Sequence, residues 1–323
     1  MSFLRLIAAV VLSGLIGYPL ASAQSYRSKP VRIILPYPPG GSSDPLVRAI
    51  AMKMGEGLKM NFIVDNRPGA NGIIGTELAA KSPPDGYTLV MGSTSTLPMN
   101  AAIYAKLPYD PLKDFAFISS FSYSPLVLVV HPSVPTSSVK DFIALAKARP
   151  NQIVYASFGL GSVSHFGAAL FSWMTGVKLV HVPYKGSGPS TIDLLAGHVM
   201  SCFDTMQNAM PYIRAGRLRG LGIASLKRSV AAPGIPTIAE SGVSGFEVGT
   251  MFGLMAPAGT PREIIMKLNA EMTKVVALPD VAERMTSVGT EPLSNTPEEF
   301  AALIRSEMVK WAKVAREANI RAE

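Results

Sequence analysis

Three short loops carry residue types able to hold an anion. Pro39-Gly40-Gly41-Ser42-Ser43 follows the β-branched run Val31-Arg32-Ile33-Ile34-Leu35 and precedes an apolar-periodic stretch that begins at Leu46. Ser157-Phe158-Gly159-Leu160-Gly161-Ser162-Val163-Ser164-His165 again joins a strand pattern to a helix pattern. Val182-Pro183-Tyr184-Lys185-Gly186-Ser187-Gly188-Pro189 repeats the theme. A helix N-terminus carries roughly half a positive charge and several N–H groups without partners inside the helix. Glycines let that backbone come close to a ligand and serine hydroxyls add donors, so an anion is held without any formal cation. Taken singly, each loop also reads as a plain strand-to-helix turn. Two such loops in separate halves of the chain point toward an anion cleft, and both readings stay open here. Pro45 fits a first helical position, which makes Asp44 the expected N-cap and leaves the amides of 40–43 for a ligand.

Other chemistries find less support. The phosphate motifs G-x-x-x-x-G-K-[ST] and G-x-G-x-x-G are absent, as is the G-x-S-x-G elbow. Ser162 and His165 are close in sequence, but at a spacing that makes no triad, so a hydrolase is only a minor rival. His131, His165, His181 and His198 lack metal-ligand spacing. No catalytic residue, metal or cofactor is expected. His131 and His181 lie in apolar strand patterns and read as structural, whereas His165 opens a helix beside a candidate loop. Asp204 ends a strand, where a side chain faces either a cleft or the next turn. Lys185 reads as solvated. Cys202, Trp173 and Trp311 read as core.

The elements that must position these loops alternate. Periodicity predicts strands at 31–37, 61–65, 87–92, 117–121, 125–130, 152–157, 178–182, 199–203, 218–224 and 252–256. Helices are predicted at 45–58, 70–81, 138–148, 163–175, 188–197, 208–215, 261–277, 280–287 and 297–317. Thr260-Pro261-x-Glu263 and Thr296-Pro297-x-Glu299 each combine a Thr cap, an early Pro and a Glu. Ser138 with Asp141 is a weaker start, and Gly176, Gly197 and Gly216 fall where helices end. Alternating strands and helices argue for an α/β protein with open, mostly parallel sheets, whose ligands bind beyond the strand ends. The β-rich stretch 117–130 is long enough to cross between two lobes, and a second crossing near 245–256 returns the chain. The first domain is then discontinuous, 24–123 plus 248–323, and the second spans 124–247, which is a hinge architecture.

The first 23 residues read as a secretory leader: Arg5, an apolar run to Leu20, then Ala21-Ser22-Ala23. Removing Arg5 takes the net charge from +8 to +7, with the cations scattered rather than clustered. That pattern suits solubility and anionic ligands and leaves no nucleic-acid footprint. A single cysteine permits no internal disulfide.

The residues also resemble a family. Lys29-Pro30-Val31-Arg32-Ile33-Ile34, Pro36-Tyr37-Pro38-Pro39-Gly40-Gly41-Ser42-Ser43-Asp44, Asn66-Arg67-Pro68-Gly69-Ala70-Asn71-Gly72, Pro84-Asp85-Gly86-Tyr87 and Leu107-Pro108-Tyr109-Asp110-Pro111 carry the likeness in the first half. Tyr155-Ala156-Ser157, Gly161-Ser162, His165, His181-Val182-Pro183-Tyr184-Lys185-Gly186, Phe203-Asp204 and Ala256-Pro257-Ala258-Gly259-Thr260-Pro261 continue it. The chain is similar to the Bug-type extracytoplasmic solute receptors of tripartite tricarboxylate transporters, over essentially all of its length after the leader. The resemblance implies a two-lobed periplasmic binding protein of Venus-flytrap, type II-like form with two hinge-crossing strands. It implies a monomer, not an enzyme, that captures a small organic acid and hands it to membrane permease subunits. A sensor presenting its closed form to a membrane histidine kinase is the alternative. Carried over by position, the ligand site comprises Tyr37, Pro39, Gly40, Gly41, Ser42, Ser43, Ser93, Thr94, Ser157, Gly159, Gly161, Ser162, His165, Tyr184 and Asp204. Met251 departs from the aromatic residue frequent in the family just before Phe252-Gly253, and is expected to reshape a pocket wall.

Overall fold

The computed structural model describes residues 29–41 and 43–322. The expected leader, 1–23, and Ser42 lie outside the described residues. In chain order the elements are β1 (Val31–Leu35), α1 (Asp44–Leu58), β2 (Phe62–Asn66), α2 (Ile73–Ala80), β3 (Thr88–Ser93), α3 (Asn100–Ile103), β4 (Phe115–Val130), α4 (Val139–Ala148), β5 (Ile153–Ser157), α5 (Val163–Thr175), β6 (Leu179–Pro183), α6 (Ser187–Leu195), β7 (Ser201–Thr205), α7 (Met206–Arg214), β8 (Arg219–Ile223), β9 (Gly249–Pro257), α8 (Arg262–Val276), α9 (Pro279–Thr286), β10 (Glu291–Pro292) and α10 (Pro297–Glu317).

The strands run in the order β2-β1-β3-β9-β4-β7-β5-β6, with β8 and β10 also paired to β4. β1 is parallel to β2 and β3, and β5 is parallel to β6 and β7. These are the sheets of the two lobes. The joint between them is antiparallel, because β4 runs against β9, β7 and β8. The expectation of mostly parallel sheets therefore holds within each lobe and fails at the centre.

The predicted strands 117–121 and 125–130 are one strand, β4, whose partner changes along its length. Residues up to Pro125 pair with β9, and residues from Leu126 pair with β7. Proline has no N–H to give a ladder. Pro125 stands at the changeover, where the ladder is re-formed by loop backbone: Leu126 N–H donates to Val248 O at 3.0 Å, and Ala224 N–H donates to Leu126 O at 2.7 Å. The returning chain thus passes at Val248, beside the outgoing one.

Other departures have local causes. Pro98 sits inside a wide helical turn, Ser95–Met99, that runs on into α3. An interior proline weakens a helix pattern, so this turn is invisible to periodicity. The predicted helix 70–81 begins as a tight turn, Ala70–Gly72, with Ala70 at φ 46° and Asn71 at φ 51°. Thr260 does not cap α8: its hydroxyl donates to Pro257 O at 2.8 Å, closing the turn after β9, and Pro261 precedes the first helical residue. Trp311 is fully buried as expected, but Trp173 is 51% exposed, because the buried positions of α5 stop at Phe171.

Trp311 meets Phe166 edge-on, ring centroids 5.5 Å apart, which seats α10 on α5. The same core takes in Met99, Ile103, Leu126, Leu128 and Phe203. The C-terminal helix therefore joins both halves behind the strand crossing. Its start is a full capping box: Thr296 Oγ1 accepts Glu299 N–H at 3.2 Å, and Glu299 Oε2 accepts Thr296 N–H at 2.9 Å. Thr296→Ala is expected to lower unfolding free energy by about 1 kcal/mol in urea titrations. Thr296→Ser should retain most of it, and equal midpoints for Thr and Ala would show that the cap contributes nothing.

Candidate functional site

The carboxyl ends of β1, β5, β6 and β7 open onto a single cavity of about 640 Å³. One wall comes from the first half of the chain: Pro36, Tyr37, Pro38, Gly41, Ser43, residues 68–72, Ser95 and Tyr104. The opposite wall is Phe158, Gly159, Leu160, Ser162, Val163, residues 184–187 and Thr205, with Thr250 and Phe252 on β9 closing the back. Residues 250 and 252 share one face of β9 by strand alternation. Met251 points the other way, into a core with Val90, Leu97 and Met255, so it does not form a pocket wall.

The loop after β1 is held from within. Tyr37 Oη and Ser93 Oγ lie 2.7 Å apart, and Asn66 Nδ2 donates to Tyr37 O at 3.0 Å. Asp44 is the first residue of α1 rather than its cap; Ser43 takes that place without a side-chain bond. Asp44 reaches back instead. Its Oδ2 accepts Gly40 N–H at 3.3 Å, and its Oδ1 lies 3.0 Å from an Arg48 guanidinium nitrogen. Burial opposes ionisation of Asp44, but the bonds from Arg48, Asn66 and Gly40 outweigh it and hold the carboxyl below its usual range. Gly41 N–H turns to Pro38 O at 3.4 Å.

The loop after β5 is tighter still. Ser162 caps α5: its Oγ accepts His165 N–H at 3.3 Å and donates to Gly159 O at 2.6 Å. Ser157 Oγ accepts Gly159 N–H at 3.2 Å and lies 2.6 Å from His181 Nε2. Gly161 N–H donates to His165 Nδ1 at 3.2 Å. Ser162 N–H donates to Gly159 O at 3.1 Å, and the amide after it reaches the opposite wall, Val163 N–H donating to Ser95 Oγ at 3.0 Å. Gly161, at φ 75°, is the other close approach: a Cβ there would lie 2.4 Å from Ile103 Cδ1. Gly186, on the third loop, faces Pro38 in the same way, with an added Cβ 3.1 Å from Pro38 Cγ.

Of the expected site residues, Tyr37, Gly41, Ser43, Gly159, Ser162 and Tyr184 line the cavity. The other described ones do not line it, and Ser42 lies outside the described residues. Pro39 and Gly40 lie in the same loop but off the wall. Ser93 fixes Tyr37, Thr94 Oγ1 accepts Met251 N–H at 2.9 Å, Ser157 ties its own loop, and Gly161 meets Ile103. His165 stacks on His181, centroids 4.2 Å apart, and His181 stacks on Tyr155 at 4.9 Å. The His165 ring has no bond to the Ser162 hydroxyl, which is already committed to Gly159, so the hydrolase arrangement is not formed. Asp204 is buried, accepting from Thr205 N–H and Asn208 Nδ2, both at 2.7 Å. Its neighbour Thr205 takes the cavity position. His131, expected to be structural, is partly exposed and bonds Ser133. Lys185 is exposed as expected but also borders the cavity. Sequence reasoning missed Ser95, Tyr104 and the wall at 68–72; a run of Pro, Gly and Asn at 66–72 was the one available signal.

Burial sets the titration of this region. It pushes Asp204 up to about 7, against the bonds from Asn208 and Thr205. It pushes His165 down to about 3, helped by His181, and His181 down to about 4. Between pH 4 and 6.5 the unfolded chain holds two histidine protons that the folded chain lacks, while folded Asp204 holds one that the unfolded chain lacks. The unfolded state binds more protons, so stability from these groups falls as pH falls through that window. Asp204→Asn removes the opposing proton and should steepen the fall, read as urea midpoints between pH 4.5 and 6.5. An unchanged slope would show that Asp204 is ionised in the folded protein.

Comparison with known proteins follows the same geometry. Residues 46–320 match the family model for the tripartite tricarboxylate transporter family receptor. Protein BugT of Bordetella pertussis (strain Tohama I) is 38% identical over 321 residues, 98% of each chain. Among solved structures, R. palustris Rpa4515 with adipate is similar at TM-score 0.89 and 35% identity, covering 92% of this chain and 99% of that one. MatC from Rhodopseudomonas palustris with bound malate is similar at TM-score 0.84 and 31% identity, covering 89% and 99%.

Proposed function

The chain belongs to the tripartite tricarboxylate transporter receptor family, a family of periplasmic solute-binding receptors and not of enzymes, and from that premise we propose that it captures a small carboxylate between its two lobes and delivers it to the membrane permease subunits of such a transporter. The observation that carries the proposal is the cavity of about 640 Å³ walled from both halves of the chain. The closing bodies are 24–123 with 248–323 and 124–247. The leader, 1–23, directs the chain to the periplasm and is cleaved there, and the receptor acts as a monomer. Adipate and malate in similar proteins support a carboxylate ligand.

The grip differs from a bare pair of amide cradles. Gly40, Gly41, Gly159, Gly161 and Val163 already spend their N–H groups on protein acceptors. The ligand's charge is instead met by hydroxyls with a proton to give and by Lys185. Ser95 is the example: its Oγ accepts Val163 N–H from the opposite wall, and the residue borders the cavity beside Tyr37. A ligand shifts the open–closed equilibrium only by its difference in affinity for the two states. The bond from Val163 to Ser95 joins the two walls and is one contact that separating them would break.

Calorimetry of the purified receptor against a panel of organic acids tests the reading; no heat with any carboxylate would sink it. Gly161→Ala adds a methyl at 2.4 Å from Ile103 Cδ1. The clash lies where α3 meets the loop after β5, and separating those two elements relieves it. That variant should bind about tenfold more weakly or worse, given the strained φ as well. Its circular dichroism should match wild type, and Ile103→Ala in the same background should recover part of the affinity.

A further inference from the structure

Resting on that reading of the cavity as a carboxylate site, we infer that its ligand is an aromatic acid with one carboxylate and no ammonium group. Five aromatic side chains stand on the wall: Tyr37, Tyr104, Phe158, Tyr184 and Phe252. The hydroxyls of two are tied away from the cavity. Tyr37 Oη is bound to Ser93 at 2.7 Å, and Tyr184 Oη donates to Asp193 Oδ2 at 2.6 Å. Each is fixed at its polar end, so it offers the ligand a ring rather than a donor. Held rings favour a flat, apolar partner through offset or edge contacts.

Charge narrows the class further. No Asp or Glu is on the wall among the described residues. The carboxylates near the loops have protein partners: Asp44 holds Arg48, Asp193 holds Tyr184, and Asp204 holds Asn208 and Thr205. An ammonium placed here would lose water and gain no counter-charge. Lys185 is the one cation on the wall among the described residues. A ligand with carboxylates at both ends would press the second against rings. A single carboxylate meets Lys185 and the hydroxyl-bearing Ser43 and Thr250 on the wall, Thr250 being 3% exposed on β9.

Three probes separate these features in calorimetry of the purified chain: 3-phenylpropionate, L-phenylalanine and adipate. The first two differ by the ammonium, and the first and third by ring against second carboxylate. Phenylpropionate should bind at least about tenfold more tightly than either of the others. Tyr184→Leu should lower the preference for phenylpropionate over adipate by about fivefold, while Tyr184→Phe, which keeps the ring but loses its tie to Asp193, should lower it less. Adipate or phenylalanine binding as tightly as phenylpropionate would overturn the inference and leave the carboxylate receptor standing. So would a Tyr184→Leu variant, folded by circular dichroism, with an unaltered ratio. Silence from all three probes, with heat from an aliphatic carboxylate and from no aromatic one, would also overturn it; silence from every carboxylate would remove the receptor reading too.

Discussion

Buried backbone N–H groups must find acceptors, and this requirement organises the cleft. The first turn of α5 begins at Val163, inside the molecule and away from bulk water. Its donors are met by Ser162 from its own loop and by Ser95 from the far side. The bond from Val163 to Ser95 is therefore more than a contact. It completes a helix end, and on opening that amide needs water instead. Gly161 allows the approach, since any Cβ there would collide with Ile103. The geometry of closure is thus written into the termini of α5 and of the turn that starts at Ser95.

A second constraint is continuity. Two lobes joined by loops alone would tumble independently, yet here the joint is a strand sixteen residues long, β4, paired on both halves. Pro125 marks the place where one ladder stops and the next begins. Behind it, α10 packs Trp311 on Phe166 and Ile103 into one apolar cluster. The two halves are therefore tied both by strand pairing and by this apolar seam. The rings of Tyr37 and Tyr184 are set on those walls by bonds to Ser93 and Asp193, and need no ligand to be in place.

Much of this was legible in the sequence, and what was not has physical reasons. Hydrophobic periodicity located the lobe strands and long helices, since those depend on local burial. The cap at Thr296 was readable because a capping box uses residues three apart. Position in a strand–loop–helix junction located Tyr37, Gly41, Ser43, Gly159, Ser162 and Tyr184 near the cavity. It did not reveal which donors were spent, because the acceptors are far away in sequence: Ser95 lies 68 residues from Val163. Asp44 read as a cap from Pro45 alone, whereas Arg48 and Asn66 draw its carboxylate elsewhere. Thr260 failed as a cap because the preceding strand needed its hydroxyl. Trp173 read as core because helical pattern cannot show where neighbours end.

The two tryptophans occupy opposite environments, one sealed at the seam between the lobes and one open to solvent. Their fluorescence is accordingly separable: an aqueous quencher silences Trp173 and spares Trp311. The surviving blue-shifted emission comes from a ring packed edge-on against Phe166, where α10 meets α5. Emission from Trp311 would therefore report the packing of α10 on α5 without labels or added cysteines.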